Sequence, residues 1–477
     1  MANRSYLNFD LLLEQVGEDL YEARVTAAPV IDLPHVQFRL PFDDKGLKIL
    51  LLELDPGRTD VRAVGGVQQR AAKEFGGPLF EAIFTGRLAL AWTRSLDKVA
   101  AEKAGGLRLR LRISNEASDL AGLPWELLYD ANGRAFPAQS EITPLVRFLD
   151  VTHEPDPIQV NGPLRVLAVI SSPSNLPELD VEREWARIEA AMAAKVRQGL
   201  VVVDRLPEAT VEELGEWLLN HDTHIIHFVG HGDFDPVGGE GFICFQNDRG
   251  GADPVTAAVL GPFIHDHDAL RMVVINACRT ARVSTDPYGG MAQGLVQQGA
   301  TAVVAMQFPI TDQAALMFTG KFYGALAAGL PVDQAVSYAR KALQAKFRSE
   351  WATPVLFMRS PDGNIFQHVQ APPGWARHEP RGADTTGPDE IASTVPGPPV
   401  SDPAVADPAV VDPAVVDPAV ADPAVAELDP TDLDVTDVIG PSATDIAREP
   451  RPWELPGAEP DPYQFLFERE PPEPEPP

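Results

Sequence analysis

The feature that most constrains this chain is an alternation of short apolar runs with helical stretches between Pro163 and Phe357. The apolar runs are short, predominantly apolar and rich in β-branched side chains, which is typical of strands buried on both faces. In chain order they are PLRVLAVISS, LVVV, HIIHFVGHGD, GFICFQ, MVVINAC, ATAVVAMQF and PVLFM. The pattern predicts an α/β fold: a three-layer sandwich with a mostly parallel sheet covered by helices on both sides.

Helices are expected between these strands, over residues 179–196, 255–264, 290–298, 312–328 and 332–347. Another is expected to begin at Thr210, because Thr210 and Glu213 have the T-x-x-E spacing of a capping box. In open parallel sheets the functional crevice lies beyond the carboxyl ends of the strands. The residues that directly follow each apolar run are therefore the ones to inspect for chemistry.

The first 160 residues are less regular and predict an accessory α+β region. Within it, LRLRLRI at residues 107–113 alternates strictly, which predicts a strand with its leucines buried and its arginines facing solvent. LPWELLYD at residues 123–130 predicts a compact apolar segment docked on the sheet. We find no residues in this region that indicate chemistry.

The region from Ala371 to the end has a different composition. It holds 24 of the 46 prolines and 23 of the 69 acidic residues but only 5 of the 39 basic ones, which places −18 of the formal net charge of −30 there. Five copies of a DPAV-x pentapeptide begin at Asp402. Such a composition cannot bury a core, so a disordered tail is expected over 371–477, after an accessory region at 1–160 and an α/β domain at 161–370.

Composition also excludes several classes of function. A chain with a formal net charge of −30 lacks the excess of Lys and Arg that is typical of nucleic-acid-binding proteins. We expect no membrane association, because no apolar run approaches the ~20 residues that span a bilayer and the N-terminus lacks the pattern of a signal peptide. Two cysteines in 477 residues form no disulfide framework, which favours a reducing cytoplasm.

Two of the predicted strand ends carry reactive side chains. Val229-Gly230-His231-Gly232-Asp233 follows one apolar run, and Asn276-Ala277-Cys278-Arg279-Thr280 follows another. The histidine precedes the cysteine by 47 residues, enough for one crossover between neighbouring strands, and caspases have a similar order and spacing. Taken singly, the cysteine is an inert buried thiol and the glycine-flanked histidine a turn; taken together they favour catalysis.

The chemistry of peptide cleavage explains these residue types. A thiolate attacks a peptide carbonyl far better than a thiol, so an imidazole such as that of His231 is needed to take the proton from Cys278. The backbone N–H groups of Gly232 and Cys278 are the candidate oxyanion donors. A zinc site formed by the nearby histidines is disfavoured, because His224 and His227 face opposite sides of a strand. No motif calls for a metal or an organic cofactor.

The segments HFVGHG, VVINACRTA, GGMAQGLVQQGA, TAVVAMQFPITD and WATPVLF, preceded by LPWELLYD and TPLVRFL, resemble the CHAT domain in their order. This family belongs to the caspase-like cysteine peptidases and is related to separase. The resemblance covers residues 105–360, which would bring 105–160 into the same unit. It implies a cysteine endopeptidase with a dyad of His231 and Cys278, and a role in regulated proteolysis or prokaryotic defence.

The same resemblance suggests a specificity residue. The stretch from Phe308 to Asp312 is similar to the separase segment whose acid receives an arginine before the scissile bond, although Phe308 replaces a tryptophan and Pro309 an acid. Asp312 would then favour Arg or Lys in the substrate. The alternative is that Asp312 only caps the following helix. Asp233 and Asp286 are weaker candidates for this recognition.

The sequence thus predicts a cytoplasmic caspase-like peptidase that cleaves a protein or peptide, after a basic residue. The alternative is a catalytically silent scaffold that only binds partner proteins. In the tail, DPYQFLFERE at residues 461–470 is either a chance apolar patch or a docking segment for a regulatory partner, and tail arginines such as Arg377 are candidate self-cleavage sites. Cys244 lies inside an apolar run and is expected to be structural.

Overall fold

The computed structural model of the protein describes residues 5–54, 66–149, 155–235, 240–277, 290–347, 350–367 and 369. The strands are β1 (Leu7–Gly17), β2 (Leu20–Ala27), β3 (His35–Phe38), β4 (Leu107–Ile113), β5 (Leu145–Phe148), β6 (Ile158–Gln159), β7 (Leu164–Ile170), β8 (Val201–Arg205), β9 (Ile225–Val229), β10 (Gly232–Asp235), β11 (Glu240–Gln246), β12 (Ala252–Thr256), β13 (Met272–Asn276), β14 (Ala302–Met306), β15 (Pro354–Met358) and β16 (Phe366–Gln367).

The helices are α1 (Asp44–Leu54), α2 (Gly66–Ile83), α3 (Gly86–Glu102), α4 (Ser118–Ala121), α5 (Val181–Arg197), α6 (Val211–Asn220), α7 (Ala257–His265), α8 (Met291–Gln297), α9 (Asp312–Leu326) and α10 (Val332–Phe347). Short 3-10 turns lie at Asn115–Ala117, Trp125–Leu127, Pro137–Gln139 and Glu350–Ala352. The predicted cap of α6 is confirmed, since the Thr210 hydroxyl accepts a hydrogen bond of 3.1 Å from the Glu213 N–H. Within the described part of the chain, no helix is both long and apolar enough to cross a membrane.

One large sheet organises the molecule, in the order β3-β2-β1-β4-β5-β15-β14-β13-β9-β7-β8. Strands β8, β7, β9, β13 and β14 are mutually parallel, and we call them the five-strand block. Strands β15, β5, β4 and β1 are also mutually parallel and form the four-strand block. The two blocks meet antiparallel at β14 and β15, and β2 and β3 extend the outer edge antiparallel. The predicted α/β class with a mostly parallel sheet is confirmed.

Helices cover both faces of the five-strand block. In β9, Ile225 and Val229 belong to a core shared with α5, α9 and α10, whereas Ile226 and Phe228 belong to a second core shared with α6, α7 and α8. This alternation follows from the period of two in a strand. Both faces are therefore covered by packed apolar side chains. Polar groups of this block can reach solvent only at the ends of its strands.

One predicted strand lies outside the large sheet. β11, which contains GFICFQ, pairs antiparallel with β10 and β12 in a separate sheet. Asn247 causes the reversal, because its side chain accepts hydrogen bonds of 3.0 Å from the backbone N–H groups of Arg249 and Gly251. The chain then returns as β12, so the helix predicted from residue 255 begins only at Ala257.

The prediction that the β4 arginines face solvent is wrong. Arg108 is 1% exposed and Arg110 is 8% exposed, because this face of the sheet is covered as well. Each guanidinium has a carboxylate partner: Arg108 Nε lies 2.7 Å from Asp333, and Arg110 Nε lies 2.6 Å from Asp10. Burial of a charge is tolerated when it is paired and hydrogen-bonded in this way.

The segment LPWELLYD is docked on the sheet, as predicted, and it also brings in a charge. Trp125 is fully buried, and its indole N–H donates to the Leu120 carbonyl at 2.6 Å. Beside it, Glu126 accepts from Arg147 of β5 at 2.8 Å. Because β1, β4 and β5 belong to the same sheet as β7, β8, β9, β13, β14 and β15, the sheet runs across residue 160. The proposed division at that position stays a prediction.

Candidate active site

The carboxyl ends of β7, β9 and β13 lie side by side at one edge of the five-strand block. Ile170 pairs with Val229, and Val229 pairs with Asn276. The chain leaves β9 through Gly230, where a Cβ atom would lie 2.9 Å from the carbonyl oxygen of Ser171, so glycine is required by this close approach. The segments after these three strands therefore begin next to one another.

His231 lies at this edge, between β9 and β10, and is half-buried. Its Nε2 is 2.8 Å from the carbonyl oxygen of Pro177. Because a carbonyl oxygen can only accept, Nε2 donates the proton of this hydrogen bond, and the neutral imidazole has its lone pair on Nδ1. The carbonyl of His231 accepts in turn from the Cys244 N–H at 2.9 Å, which fixes the main chain beneath the ring.

The loop that carries Pro177 is held by the turn between β11 and β12. The Ser174 N–H donates to the Gly250 carbonyl at 2.8 Å, and the Asn175 side chain accepts from the Ala252 N–H at 2.7 Å. At its far end the loop enters α5, where Asp180 accepts from the Arg183 N–H at 3.0 Å. The partner of His231 is therefore part of a fixed loop.

The other predicted site residues are distributed as follows. Cys278, Arg279 and Asp286 lie outside the described residues. Before them the chain is described as far as the buried Ala277, one position after β13 ends at Asn276. Gly232 is the first residue of β10 and pairs with Ile243. The Asp233 carboxylate accepts from the Phe234 N–H at 2.9 Å.

Asp312 is the first residue of α9, beyond the carboxyl end of β14. Its side chain is 63% exposed, and its Oδ2 accepts from Arg187 Nη2 of α5 at 2.7 Å. The alternative that Asp312 caps the helix is wrong. The cap is Thr311, whose hydroxyl accepts from the Ala314 N–H at 3.4 Å.

Glu350 holds the residue before Asp312. Its carboxylate accepts from the Thr311 N–H at 2.5 Å and from the Thr311 hydroxyl at 3.0 Å. The other end of the same loop is held by Gln307, whose side-chain amide donates to Glu126 at 3.0 Å and to the Ala352 carbonyl at 2.6 Å. The loop from β14 to α9 is thus fixed at both ends.

Two further groups behave as the sequence predicts. His227 is a buried core residue whose Nδ1 lies 2.9 Å from the Tyr323 hydroxyl, and burial lowers the pKa of His227 to about 4. Cys244 is buried in β11, and burial raises the pKa of its thiol. Neither group is suited to the chemistry of a reactive thiol–imidazole pair. In the described ranges, no three His, Cys, Asp or Glu side chains are arranged to hold a metal ion.

Three groups at the site have no counterpart in the sequence analysis. The Pro177 carbonyl carries no side-chain signal, because any residue offers the same oxygen. Arg187 and Glu350 are charged residues in helical segments, where a solvent-facing position is the ordinary expectation. Only the packing of α5, α9 and the Glu350–Ala352 turn shows that they contact the loop before α9 and Asp312 itself.

The sheet and its edge define an α/β protein with a candidate site at the carboxyl ends of parallel strands. The chain belongs to the CHAT domain family, whose model matches residues 86–380, more than half of the 477 residues. The predicted resemblance is thereby confirmed. No curated protein matches the sequence.

Solved structures with a similar fold include the following three. Separase of Saccharomyces cerevisiae, in complex with securin, is 11% identical over 74% of this chain and 30% of its own, with a TM-score of 0.45. The Arg-specific cysteine proteinase gingipain R is 10% identical over 56% of this chain and 57% of its own, with a TM-score of 0.31. The Drosophila initiator caspase Dronc is 11% identical over 47% of this chain and 98% of its own, with a TM-score of 0.27. The chain spans less than a third of the separase chain.

Proposed function

We propose that the protein is a cysteine endopeptidase in which His231 and Cys278 form the catalytic dyad. The observation that carries this proposal is the pairing of Val229 with Asn276 in neighbouring parallel strands. His231 follows Val229 by two positions, and Cys278 follows Asn276 by two positions. Neighbouring strands are about 4.8 Å apart, so the two chain segments start within reach of one another.

The hydrogen bond of His231 to Pro177 gives the imidazole its role. With Nε2 occupied as a donor, Nδ1 is the atom that takes the proton of the Cys278 thiol. The thiolate then attacks the peptide carbonyl, and the bond from sulfur to carbon forms as the carbonyl π electrons move to oxygen. As the oxyanion collapses, the carbon–nitrogen bond breaks and the imidazolium gives its proton to the leaving amine. The neutral imidazole then takes a proton from a water molecule that attacks the thioester, and the carbon–sulfur bond breaks to release the acid and restore the thiol–imidazole pair.

The remaining roles follow from the same edge. The N–H groups of Gly232 and Cys278 are the proposed donors to the oxyanion, and each such donor contributes ~3 kcal/mol to lowering the barrier. Asp312 is proposed to bind a basic substrate residue before the scissile bond. Strands β9 and β14 are separated by β13, so the ends of these two strands, which His231 and Asp312 follow along the chain, lie roughly two strand spacings, or about 10 Å, apart.

Peptide turnover tests the dyad directly. Peptides with Arg, Lys, Asp or Ala before a reporter group would be incubated with wild type, Cys278→Ala and His231→Ala, with Cys244→Ala as the matched thiol control. We expect the wild type and Cys244→Ala to cleave the Arg and Lys peptides, and the two dyad variants to lose at least ~100-fold in kcat/KM. Turnover that survives in both dyad variants overturns the proposal, and absence of turnover in every form favours the silent scaffold.

We also propose a cytoplasmic protein substrate and a regulatory use of the tail, in regulated proteolysis or prokaryotic defence. The support for the compartment is the small number of cysteines, and the support for the tail is its composition and the apolar segment at residues 461–470. A chain ended at residue 370 tests the second point. We expect altered peptide turnover or loss of a tail-bound partner, and an unchanged rate with unchanged partners contradicts it.

A further inference from the structure

The Asp312 carboxylate, which is proposed to bind a basic residue of the substrate, already has a guanidinium partner within the chain. Arg187 Nη2 donates to Asp312 Oδ2 at 2.7 Å, and its Nη1 donates to Glu184 of the same helix. Arg187 is largely buried, with 19% of its side chain exposed, whereas 63% of the Asp312 side chain is exposed. With Oδ2 bonded to Arg187, most of the remaining Asp312 carboxylate is therefore accessible to a ligand from solvent.

The charges of this cluster leave room for one more cation. Glu184 and Asp312 carry two negative charges and Arg187 carries one positive charge, so these three hydrogen-bonded side chains sum to −1, while the exposed Arg183 acts on Glu184 from outside this group. A basic substrate side chain at Asp312 would neutralise the cluster. It would also lie close to the Arg187 guanidinium, which repels it.

Both partners are held in place by the surrounding structure. Thr311, directly before Asp312, is bound by Glu350 through its N–H and its hydroxyl. Arg187 lies in the second turn of α5, the helix that begins after the loop of Pro177, and α5 packs against α9. The pair thus joins the loop that holds His231 to the helix that presents Asp312.

We propose that Arg187 is a specificity-determining residue, which holds one oxygen of Asp312 and leaves the other to the basic side chain of the substrate. This inference rests on the proposed function, since it takes Asp312 as the specificity residue. Arg187 then sets the affinity for Arg or Lys below that of an unpaired carboxylate. Removing the Arg187 charge should strengthen binding of a basic residue and leave binding of neutral residues unchanged.

Three single substitutions in the full-length chain separate this role from a general charge effect. Arg187→Gln removes the guanidinium that competes with the substrate for Asp312. Asp312→Asn removes the negative charge proposed to bind the basic side chain of the substrate. Arg183→Gln is the matched control, because Arg183 is exposed and lies one turn earlier on α5. It makes the same charge change without a contact to Asp312.

Binding is measured in the Cys278→Ala background with fluorescent peptides that end in Arg or in Ala, at low and at high salt. At low salt we expect Arg187→Gln to bind the Arg peptide about 5-fold more tightly, Asp312→Asn to bind it at least ~10-fold more weakly, and Arg183→Gln to stay within about 2-fold of its parent. The gain should shrink at high salt, and the Ala peptide should not distinguish the variants.

The inference is overturned if Arg187→Gln binds the Arg peptide no better than its parent, or if the parent does not distinguish the Arg peptide from the Ala peptide. Failure of the endopeptidase proposal has a different signature. In that case the protein with Cys278 intact cleaves nothing, while the ranking of the binding variants persists and supports the role of Arg187 at this site.

Discussion

The two parallel blocks of the sheet treat buried charge in opposite ways. In the described strands of the five-strand block, His227 is the only buried titratable side chain, and burial keeps it neutral by lowering its pKa to about 4. The four-strand block buries Asp10, Arg108, Arg110 and Arg147 in its strands, each with a partner of opposite charge.

This difference indicates two roles: the five-strand block carries the candidate site at its edge, and the four-strand block contributes ion pairs that stabilise the structure. In the apolar block polar groups emerge only at the strand ends, and the residues proposed to be reactive follow strand ends at one edge. The charged block instead ties distant segments together, since Glu126 contacts Arg147, Arg340 and Gln307. Gln307 begins the loop that leads to Asp312, so this network supports the edge without belonging to it.

The largest expected effect comes from removing Glu126. Burial alone would raise the pKa of this carboxyl, but Arg147 and Arg340 lower it below its usual value, so the group is charged and paired. Glu126→Ala leaves two guanidinium groups buried without it and should lower the free energy of unfolding by about 3–5 kcal/mol. Urea denaturation measures this, with the exposed Glu189→Ala as control. A loss below ~1 kcal/mol would show that the network is not a structural support.

The next largest effect is a pH dependence of stability that originates in the five-strand block. Because the pKa of His227 is about 4 in the folded protein and ordinarily 6.5, protons bind the unfolded chain more tightly. The contribution of the neutral His227 to the free energy of unfolding is complete above pH 6.5. About 3 kcal/mol of it is lost as the pH falls from 6.5 towards 4. His227→Leu should remove this part of the pH dependence.

The measurement is the free energy of unfolding across this range for both proteins. His224, whose pKa burial also lowers to about 4, is present in both and cancels in the difference. Parallel pH profiles for wild type and His227→Leu would mean that the five-strand block does not keep this imidazole neutral.

The smallest expected effect is a deletion of one methylene from the apolar block. Ile275 is fully buried in β13, so Ile275→Val should cost about 1 kcal/mol. Ile49→Val makes the same deletion on α1, where Ile49 is 47% exposed, and should change stability by less than ~0.5 kcal/mol. Thermal unfolding of the two variants measures the difference. Equal costs would contradict the dry packing assigned to this block.

Sequence periodicity predicted the five-strand block well, because strands buried on both faces have a simple apolar signature. The same periodicity gave a wrong prediction for β4, where strict alternation suggested that one face of the strand is exposed to solvent. The arginines of LRLRLRI are covered, and their partners Asp10 and Asp333 are 100 and 225 residues away. Local patterns do not contain such distant pairings.

The candidate site shows the same limit. His231 was predicted at the sheet edge because a short apolar run fixes where a strand ends. Its Pro177 partner is a backbone oxygen, and the contact of Arg187 with Asp312 joins two helices that are 125 residues apart. Both depend on tertiary packing, which composition and spacing do not specify.

The most direct test of the account is the labelling rate of Cys278 by a thiol-directed peptide with arginine next to the reactive group, followed by mass-spectrometric mapping. We expect wild type to be labelled at Cys278 and not at the buried Cys244, and His231→Ala to be labelled at least ~100-fold more slowly. Equal rates in the two proteins, or a rate no faster than that of free cysteine, would contradict the claim that His231 activates Cys278.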